Sequence, residues 1–385
     1  MATIHLHTLG QALIRCPRAT ISPDSEVTFA VALYLLLERH RAVPRDELVQ
    51  VIWPGVPASL ATHRLRQTLY VLRQAGATIE HGHAHLRLAD GVNWDVDEFD
   101  ASPAPGQAPA TQGAFLPAYG VRLPTEFREW LDAWRARVDG RLRTTLVRAL
   151  ARARSSGDRG RLRELSVSLL RIDPLNEEGT LALAEATALD GQRDEALKIL
   201  DAYSRELGRV PELVRLPAAR LRERIATQFP AGTAAPSPLV GRGDLISHLT
   251  RAIHGASSGL PSIHLLHGPA GIGKTRLLDE VDAVAQLANI SVARHRCRAG
   301  DSTRALALPV DTVRVLLALP GAIGCDPAAL ALLRGTLAAD VSPNAACLDP
   351  DSASQMRRRL EDAALELFGA LLDENALALL VDDVQ

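Results

Sequence analysis

The eight residues Gly268-Pro269-Ala270-Gly271-Ile272-Gly273-Lys274-Thr275 restrict the fold more than any other stretch of this chain. They match Gly-x4-Gly-Lys-Ser/Thr, the Walker A spacing. Its glycines permit a tight loop whose backbone N–H groups cradle phosphate at a helix N-terminus. Such a loop needs an apolar strand before it and a helix after it, and Ser262–Leu266 and a helix from near Lys274 fill those places. Lys274 carries extra weight, because of 43 basic residues only it and Lys198 are lysine. Gly268, Gly271 and Gly273 then line the phosphates, Lys274 reaches the β- and γ-phosphates, and the Thr275 hydroxyl holds Mg²⁺. ATP and Mg²⁺ are the expected cofactors.

A second element agrees. Ala376–Val381 is an apolar strand ending in Asp382-Asp383, the Walker B pattern. Asp382 is expected to take Mg²⁺, and Asp383 to sit near the attacking water as the catalytic residue. Arg242, in Leu239-Val240-Gly241-Arg242, is expected to touch the nucleotide. Residues 239–385 therefore read as the N-terminal part of an α/β P-loop NTPase domain, cut after the Walker B strand. Whether it hydrolyses ATP stays open at this point.

Composition sets the rest of the frame. At 385 residues, two or three domains are expected, and 47% hydrophobic with 23% charged residues describes a globular chain. No apolar run approaches the roughly 18 residues of a membrane span, and the N-terminus has no signal-like apolar stretch, so a cytoplasmic location with no membrane partner is expected. The four cysteines are scattered without a Cys-x-x-Cys, against a disulfide framework or a zinc site. Two Pro/Ala/Gly-rich stretches, 101–110 and 230–238, read as linkers. The expected organisation is 1–98, 99–232, a linker at 233–238, and 239–385. Net charge is −1, +3 and −4 over 1–98, 99–230 and 231–385, so any contact with DNA must come from a local patch.

The first block has the order of a winged helix-turn-helix (α+β). A strand-like alternation at Ile4, Leu6 and Thr8 leads to an apolar helix over Thr28–His40 and a second over Pro44–Ile52, with Pro44 in its first turn. A third helix runs from Ser59, read as its N-cap, to Ala75, with Gly76 as a stop. A hairpin over Ile79–Leu88 follows. On the third helix Leu65, Leu69 and Leu72 form a buried stripe, and the opposite face presents His63, Arg66, Gln67, Tyr70 and Arg73, flanked by Arg64 and Thr68. Between Pro57 and Ile79 there are arginines and no acid. Arg and Gln suit base edges in the major groove, and the flanking groups suit phosphates, so a DNA-reading face is preferred to a merely solvated one. His81, His83 and His85 share a strand face, but no carboxylate or cysteine nearby completes a metal set, which favours a polar wing tip.

The second block reads as helical, with Phe127, Trp130, Leu131, Trp134, Val138, Leu142, Leu146 and Leu150 at helical spacing. Gly157-Asp158-Arg159 recurs as Gly191-Gln192-Arg193, a displacement of 34 residues, with Asp173-Pro174 between them. That period is the tetratricopeptide signature, here over about two units. All-α tetratricopeptide-like repeats are expected, as a surface for a partner or a neighbouring domain.

In this order the motifs resemble bacterial transcriptional activators of the antibiotic-pathway regulatory type. The Ser59–Arg73 helix looks like that family's recognition helix, and Asn93-Trp94-Asp95-Val96-Asp97-Glu98-Phe99 like the segment closing its winged helix. Phe127-Arg128-Glu129-Trp130-Leu131 and Asp173-Pro174-Leu175-Asn176-Glu177-Glu178 are similar to parts of its bacterial transcriptional activator domain. Leu239–Arg242, the P-loop and Leu379–Gln385 resemble the signal-transduction ATPases with numerous domains. The resemblance implies promoter double-stranded DNA and RNA polymerase as partners and an ATP-controlled switch; self-association is a separate expectation. The expectation is a DNA-binding transcriptional regulator governed by nucleotide. The rival is a signalling NTPase whose N-terminal part is a protein-interaction scaffold.

Overall fold

The computed structural model describes residues 3–81, 84–88, 91–100, 113–117, 119, 122–208, 211–228, 241–298, 301, 307–338 and 350–384. The expected linkers at 101–110 and 230–238 lie outside them, as do Leu239 and Val240. The described chain divides into two compact units, Met1–Ala151 with Arg161–Ala182, and Arg152–Gly160 with Leu183–Gln385. Each unit spans parts of more than one of the blocks expected from composition.

In the first unit, β1 (Thr3–His7), β2 (Leu13–Arg15) and β3 (Thr20–Ile21) lead into α1 (Glu26–Leu37). The alternation of β1 is as expected, with Ile4 and Leu6 buried and Thr3 and His5 exposed. Helix α1 is apolar on every side, and Phe29 to Leu37 are all buried, the pattern of a helix at the centre of a core. After β4 (Val43–Pro44) come α2 (Arg45–Ile52) and α3 (Ala58–Gln74), then the antiparallel hairpin β5 (Ile79–His81) and β6 (His85–Leu88). Pro44 precedes the first turn of α2 rather than lying in it. Ser59 is likewise inside α3 and is not its N-cap. The Pro57 carbonyl accepts from the N–H groups of Leu60 and Ala61, both at 3.0 Å, so the helix starts before the serine. At the other end Gly76 takes φ +99°, its N–H bonds Arg73 O at 2.9 Å and that of Ala77 bonds Leu72 O at 3.0 Å, a left-handed stop that needs glycine.

Strand β4 pairs with β6, giving the three-stranded order β4-β6-β5. Strand β7 (Gly91–Trp94) returns beside β1 in parallel, Leu6 opposite Trp94, for the order β3-β2-β1-β7. The short α4 (Asp95–Asp100) follows at once. Asp95 fixes this closure, because its carboxylate accepts from the N–H groups of Thr8 and Leu9 at 2.6 and 2.8 Å and from the Thr8 hydroxyl at 2.8 Å. The long α5 (Thr125–Ser156) buries Phe127, Leu131, Val138, Leu142 and Leu146 as the helical spacing requires.

Helices α6 (Arg159–Ile172), α7 (Glu177–Leu189), α8 (Arg193–Glu206) and α9 (Glu212–Gln228) continue the array. The 34-residue recurrence is structural. Gly157 and Gly191 take φ +70° and +77°, and each turn closes with the same pair of bonds, Gly157 N–H to Arg154 O with Asp158 N–H to Ala153 O, and Gly191 N–H to Ala188 O with Gln192 N–H to Thr187 O.

The second unit continues with α10 (Gly243–Ser257), α11 (Lys274–Leu287), β8 (Ser291–Arg296), α12 (Ala307–Leu316), a 3₁₀ turn at Pro320–Gly324, α13 (Pro327–Ala338), α14 (Pro350–Glu374) and β9 (Leu377–Asp382). Strands β8 and β9 pair in parallel, Ser291 opposite Leu377 through Arg296 opposite Asp382. Leu249, Ile253, Leu277, Val281, Val284, Ile290 and Leu380 join α10, α11 and the strands in one core; Leu316, Leu333, Leu367 and Leu371 join α12–α14 in another. The expected strand at Ser262–Leu266 is not formed. Ile263 is 99% and Leu265 87% exposed, and no described strand pairs with the segment. An apolar run becomes a strand only where another strand accepts its backbone groups.

Candidate functional site

The loop of the eight-residue motif ends where α11 begins. Gly273 is the N-cap with φ +98°, and Gly271 also lies in the left-handed region at φ +78°, conformations that disfavour any residue with a Cβ. The first N–H groups of a helix have no intrahelical acceptor, and its dipole favours an anion there, so the start of α11 offers free donors to a negatively charged group. Lys274 Nζ donates to the carbonyls of Gly268 at 2.9 Å and Pro269 at 3.1 Å, which folds the lysine back over its own loop. Thr275 follows it in the first turn, half-buried. Arg242, just before α10, donates to the Ile272 carbonyl at 2.7 Å and so contacts the loop itself.

At the end of β9, Asp382 is buried. Its Oδ1 accepts from the Asp383 N–H at 3.0 Å, whereas its Oδ2 is buried with no hydrogen-bond partner among the described residues. A buried carboxylate oxygen left unsatisfied is costly, and a cation or its water would satisfy it. The unsatisfied Asp382 Oδ2 therefore fits an oxygen ligand of Mg²⁺, and the Thr275 hydroxyl is of the same donor class. Asp383 stands at φ +56°, with Oδ2 3.0 Å from Arg296 Nε. Arg296 was not legible as a site residue, because its pairing depends on the register of β8 against β9.

Behind the loop, α11 carries a charge cluster. Arg294 of β8 lies 2.7 Å from Asp279 and 3.5 Å from Asp282. Burial nevertheless raises the Asp282 carboxyl above its ordinary value, against the pull of Arg294. Glu280 is buried between Arg276 and Arg159.

A different chemistry lies on α3 in the first unit. His63, Arg64, Arg66, Gln67, Tyr70 and Arg73 are all exposed, Tyr70 to 61%, which leaves its ring outside the core. Leu65, Leu69 and Leu72 are buried on the other side. Thr68 departs from the expectation of a phosphate-facing flank: it is buried, and its hydroxyl donates to Arg64 O at 3.0 Å. Arg87, exposed on β6, adds a cation on the hairpin. His85 is exposed as well, while His83 and the side chain of His81 lie outside the described residues. Among those described, no group of three metal-ligating side chains converges, and no helix is long and apolar enough to cross a membrane.

Residues 238–385 match the AAA ATPase domain. Among solved structures, Mycobacterium tuberculosis EmbR in complex with a low affinity phosphopeptide is similar at 16% identity and a TM-score of 0.41, covering 68% of this chain and 71% of that one. None of the curated proteins matches the sequence.

Proposed function

We propose that this chain is a DNA-binding transcription regulator whose promoter binding is governed by nucleotide at the Gly268–Thr275 loop. The observation that carries the DNA half is the exposed face of α3, where Arg64, Arg66, Gln67, Tyr70 and Arg73 stand without an acidic neighbour on the helix, backed by a hairpin with the connectivity of a wing. In this reading residues 1–98 are a winged helix-turn-helix, and α5–α9 a tetratricopeptide-like activator domain. Arg66, Gln67 and Arg73 read base edges while Arg64 holds phosphate. RNA polymerase is the proposed partner of the bound regulator, and the wing adds Arg87 to the contact.

The nucleotide half rests on the match to the AAA ATPase domain and on the loop geometry. Gly271 and Gly273 leave the backbone open to phosphate, Gly268 begins the loop against Ile272, Lys274 neutralises the charge, and Arg242 braces the loop through Ile272. Thr275 and Asp382 would hold Mg²⁺, which would supply charge neutralisation to the phosphates. Asp383 orients water if hydrolysis occurs. Nucleotide shifts the DNA-binding equilibrium only by its differential affinity for the two states of the chain.

The test is fluorescence anisotropy of the full chain on DNA from upstream of its own gene, against scrambled DNA, at several salt concentrations with and without ATP–Mg²⁺. Sequence preference that survives moderate salt and responds to nucleotide is expected. Equal binding to every probe, erased by salt, overturns the DNA reading and leaves an NTPase with an interaction scaffold.

A further inference from the structure

The helix that starts at the nucleotide loop is gripped along its length by the helical array, through atoms that have no part in holding phosphate. Near the loop, Glu280 of α11 accepts at Oε1 from Arg276 Nη2 at 2.8 Å, one turn closer to Lys274. Its Oε2 accepts from Arg159 Nη2. Arg159 is the first residue of α6, and its Nη1 donates to the carbonyl of Leu189, the last residue of α7, at 3.1 Å. One guanidinium thus ties the nucleotide helix to the ends of two array helices. At the far end, Arg224 of α9 donates to the carbonyl of Leu287, the last residue of α11, at 2.8 Å.

This joint cannot slide freely. Glu280 is buried, and a buried carboxylate between two guanidinium groups loses its compensation if either moves away. The loop end, by contrast, has to rearrange. Lys274 Nζ is spent on the Gly268 and Pro269 carbonyls and must leave them to meet a phosphate, and Arg276 lies in the same first turn of α11.

We propose that the Arg159–Glu280 pair couples nucleotide occupancy of the loop to the helical array, with Glu280 as a positioning residue. This rests on the nucleotide reading of the loop. Movement of the first turn shifts Arg276 against Glu280, and Arg159 passes that shift to the start of α6 and the end of α7. By linkage, whatever partner fixes the array alters nucleotide affinity by the same factor.

Hydrogen–deuterium exchange of the full chain, with and without ADP–Mg²⁺ and a non-hydrolysable ATP analogue, tests this. In the wild type, nucleotide slows exchange over 268–276 and changes it over 157–172. Arg159→Gln keeps the loop signal, with nucleotide affinity within about threefold, and loses the response over 157–172; Arg159→Lys, which keeps the charge, recovers part of it. If Arg159→Gln does not fold, Arg159→Gln with Glu280→Gln leaves no stranded carboxylate and gives the same pattern. A folded variant whose array still responds like the wild type overturns the coupling. So does a wild type whose loop responds while its array does not. No loop signal in the wild type overturns the nucleotide reading, and the coupling with it.

Discussion

The indole N–H of Trp130 on α5 donates to Glu38 Oε1, at the end of α1, at 2.9 Å. Trp134 Nε1 donates to the same oxygen at 3.2 Å, Arg41 pairs with the carboxylate at 2.6 Å, and the Trp130 ring stacks on Tyr34 with centroids 4.4 Å apart. One carboxylate therefore fastens the long helix to the α1 core. Burial alone would raise the Glu38 carboxyl, but the Trp130 N–H, Arg41 and the Trp134 N–H outweigh it and hold it below the usual range.

A carboxyl lowered on folding contributes stability that is present above its ordinary value and lost as pH falls through the folded one. Glu38→Ala should therefore cost about 1.5–3 kcal/mol at neutral pH, as for a hydrogen bond to a charged group, and much less in acid. Urea melts followed by tryptophan fluorescence at pH 7 and at pH 3 check this. An equal loss at both pH values would show that the charge on Glu38 contributes nothing.

Gly157 is constrained twice. Its φ is +70°, and a Cβ there would meet Thr250 Oγ1 at 2.7 Å and Thr250 Cβ at 2.8 Å. Gly208 also has a positive φ, +59°, but open space around it. Gly208→Ala should cost about 1–2 kcal/mol for the left-handed backbone alone. Gly157→Ala should cost more than that, because backbone strain and the clash add. Thermal melts of both variants decide it, and equal losses would mean that the α5–α6 turn and α10 can separate cheaply.

What was legible in the sequence was local. Leu65, Leu69 and Leu72 declare the buried side of α3 by spacing, Gly76 declares its end because glycine takes that φ readily, and the recurrence of Gly157 at Gly191 declares two turns of the same build. The start of α11 at Lys274 followed from the glycines before it. Thr68 was misread because its hydroxyl is satisfied by the Arg64 carbonyl one turn back, which lets a polar residue join an apolar stripe. Ser262–Leu266 was misread because strand formation depends on a neighbour that its own composition cannot specify. Arg159 and Glu280 were invisible for a related reason. They are 121 residues apart, and no periodicity links two charges that meet only after folding.

Nucleotide should stabilise the wild type in proportion to its occupancy. At a concentration a hundred times Kd the expected gain is about 2.7 kcal/mol, visible as a rise in Tm. Lys274→Ala should melt near the wild type without ligand, since its hydrogen bonds are to carbonyls of its own half-exposed loop. With ATP–Mg²⁺ it should show no rise. Asp382→Asn should weaken the Mg²⁺-dependent part of the rise, because the buried Oδ2 has no other partner among the described residues. Equal shifts in wild type and Lys274→Ala, measured by differential scanning fluorimetry, would place the nucleotide elsewhere.

The two sides of α3 should separate function from folding. Leu69 is buried and Arg66 is exposed on the same helix. Leu69→Ala removes core volume and should cost about 2–5 kcal/mol, whereas Arg66→Ala should change stability by no more than about 0.5 kcal/mol. On DNA, Arg66→Ala should lose about 1–3 kcal/mol of preference for the cognate over the scrambled probe, while Arg64→Ala should weaken both probes alike and flatten the salt dependence by about one unit. Anisotropy titrations at stepped salt, with urea melts of the same preparations, make the comparison. If Arg66→Ala left the preference unchanged while Arg64→Ala weakened both probes, α3 would touch DNA only through phosphates, and sequence would have to be read by the hairpin.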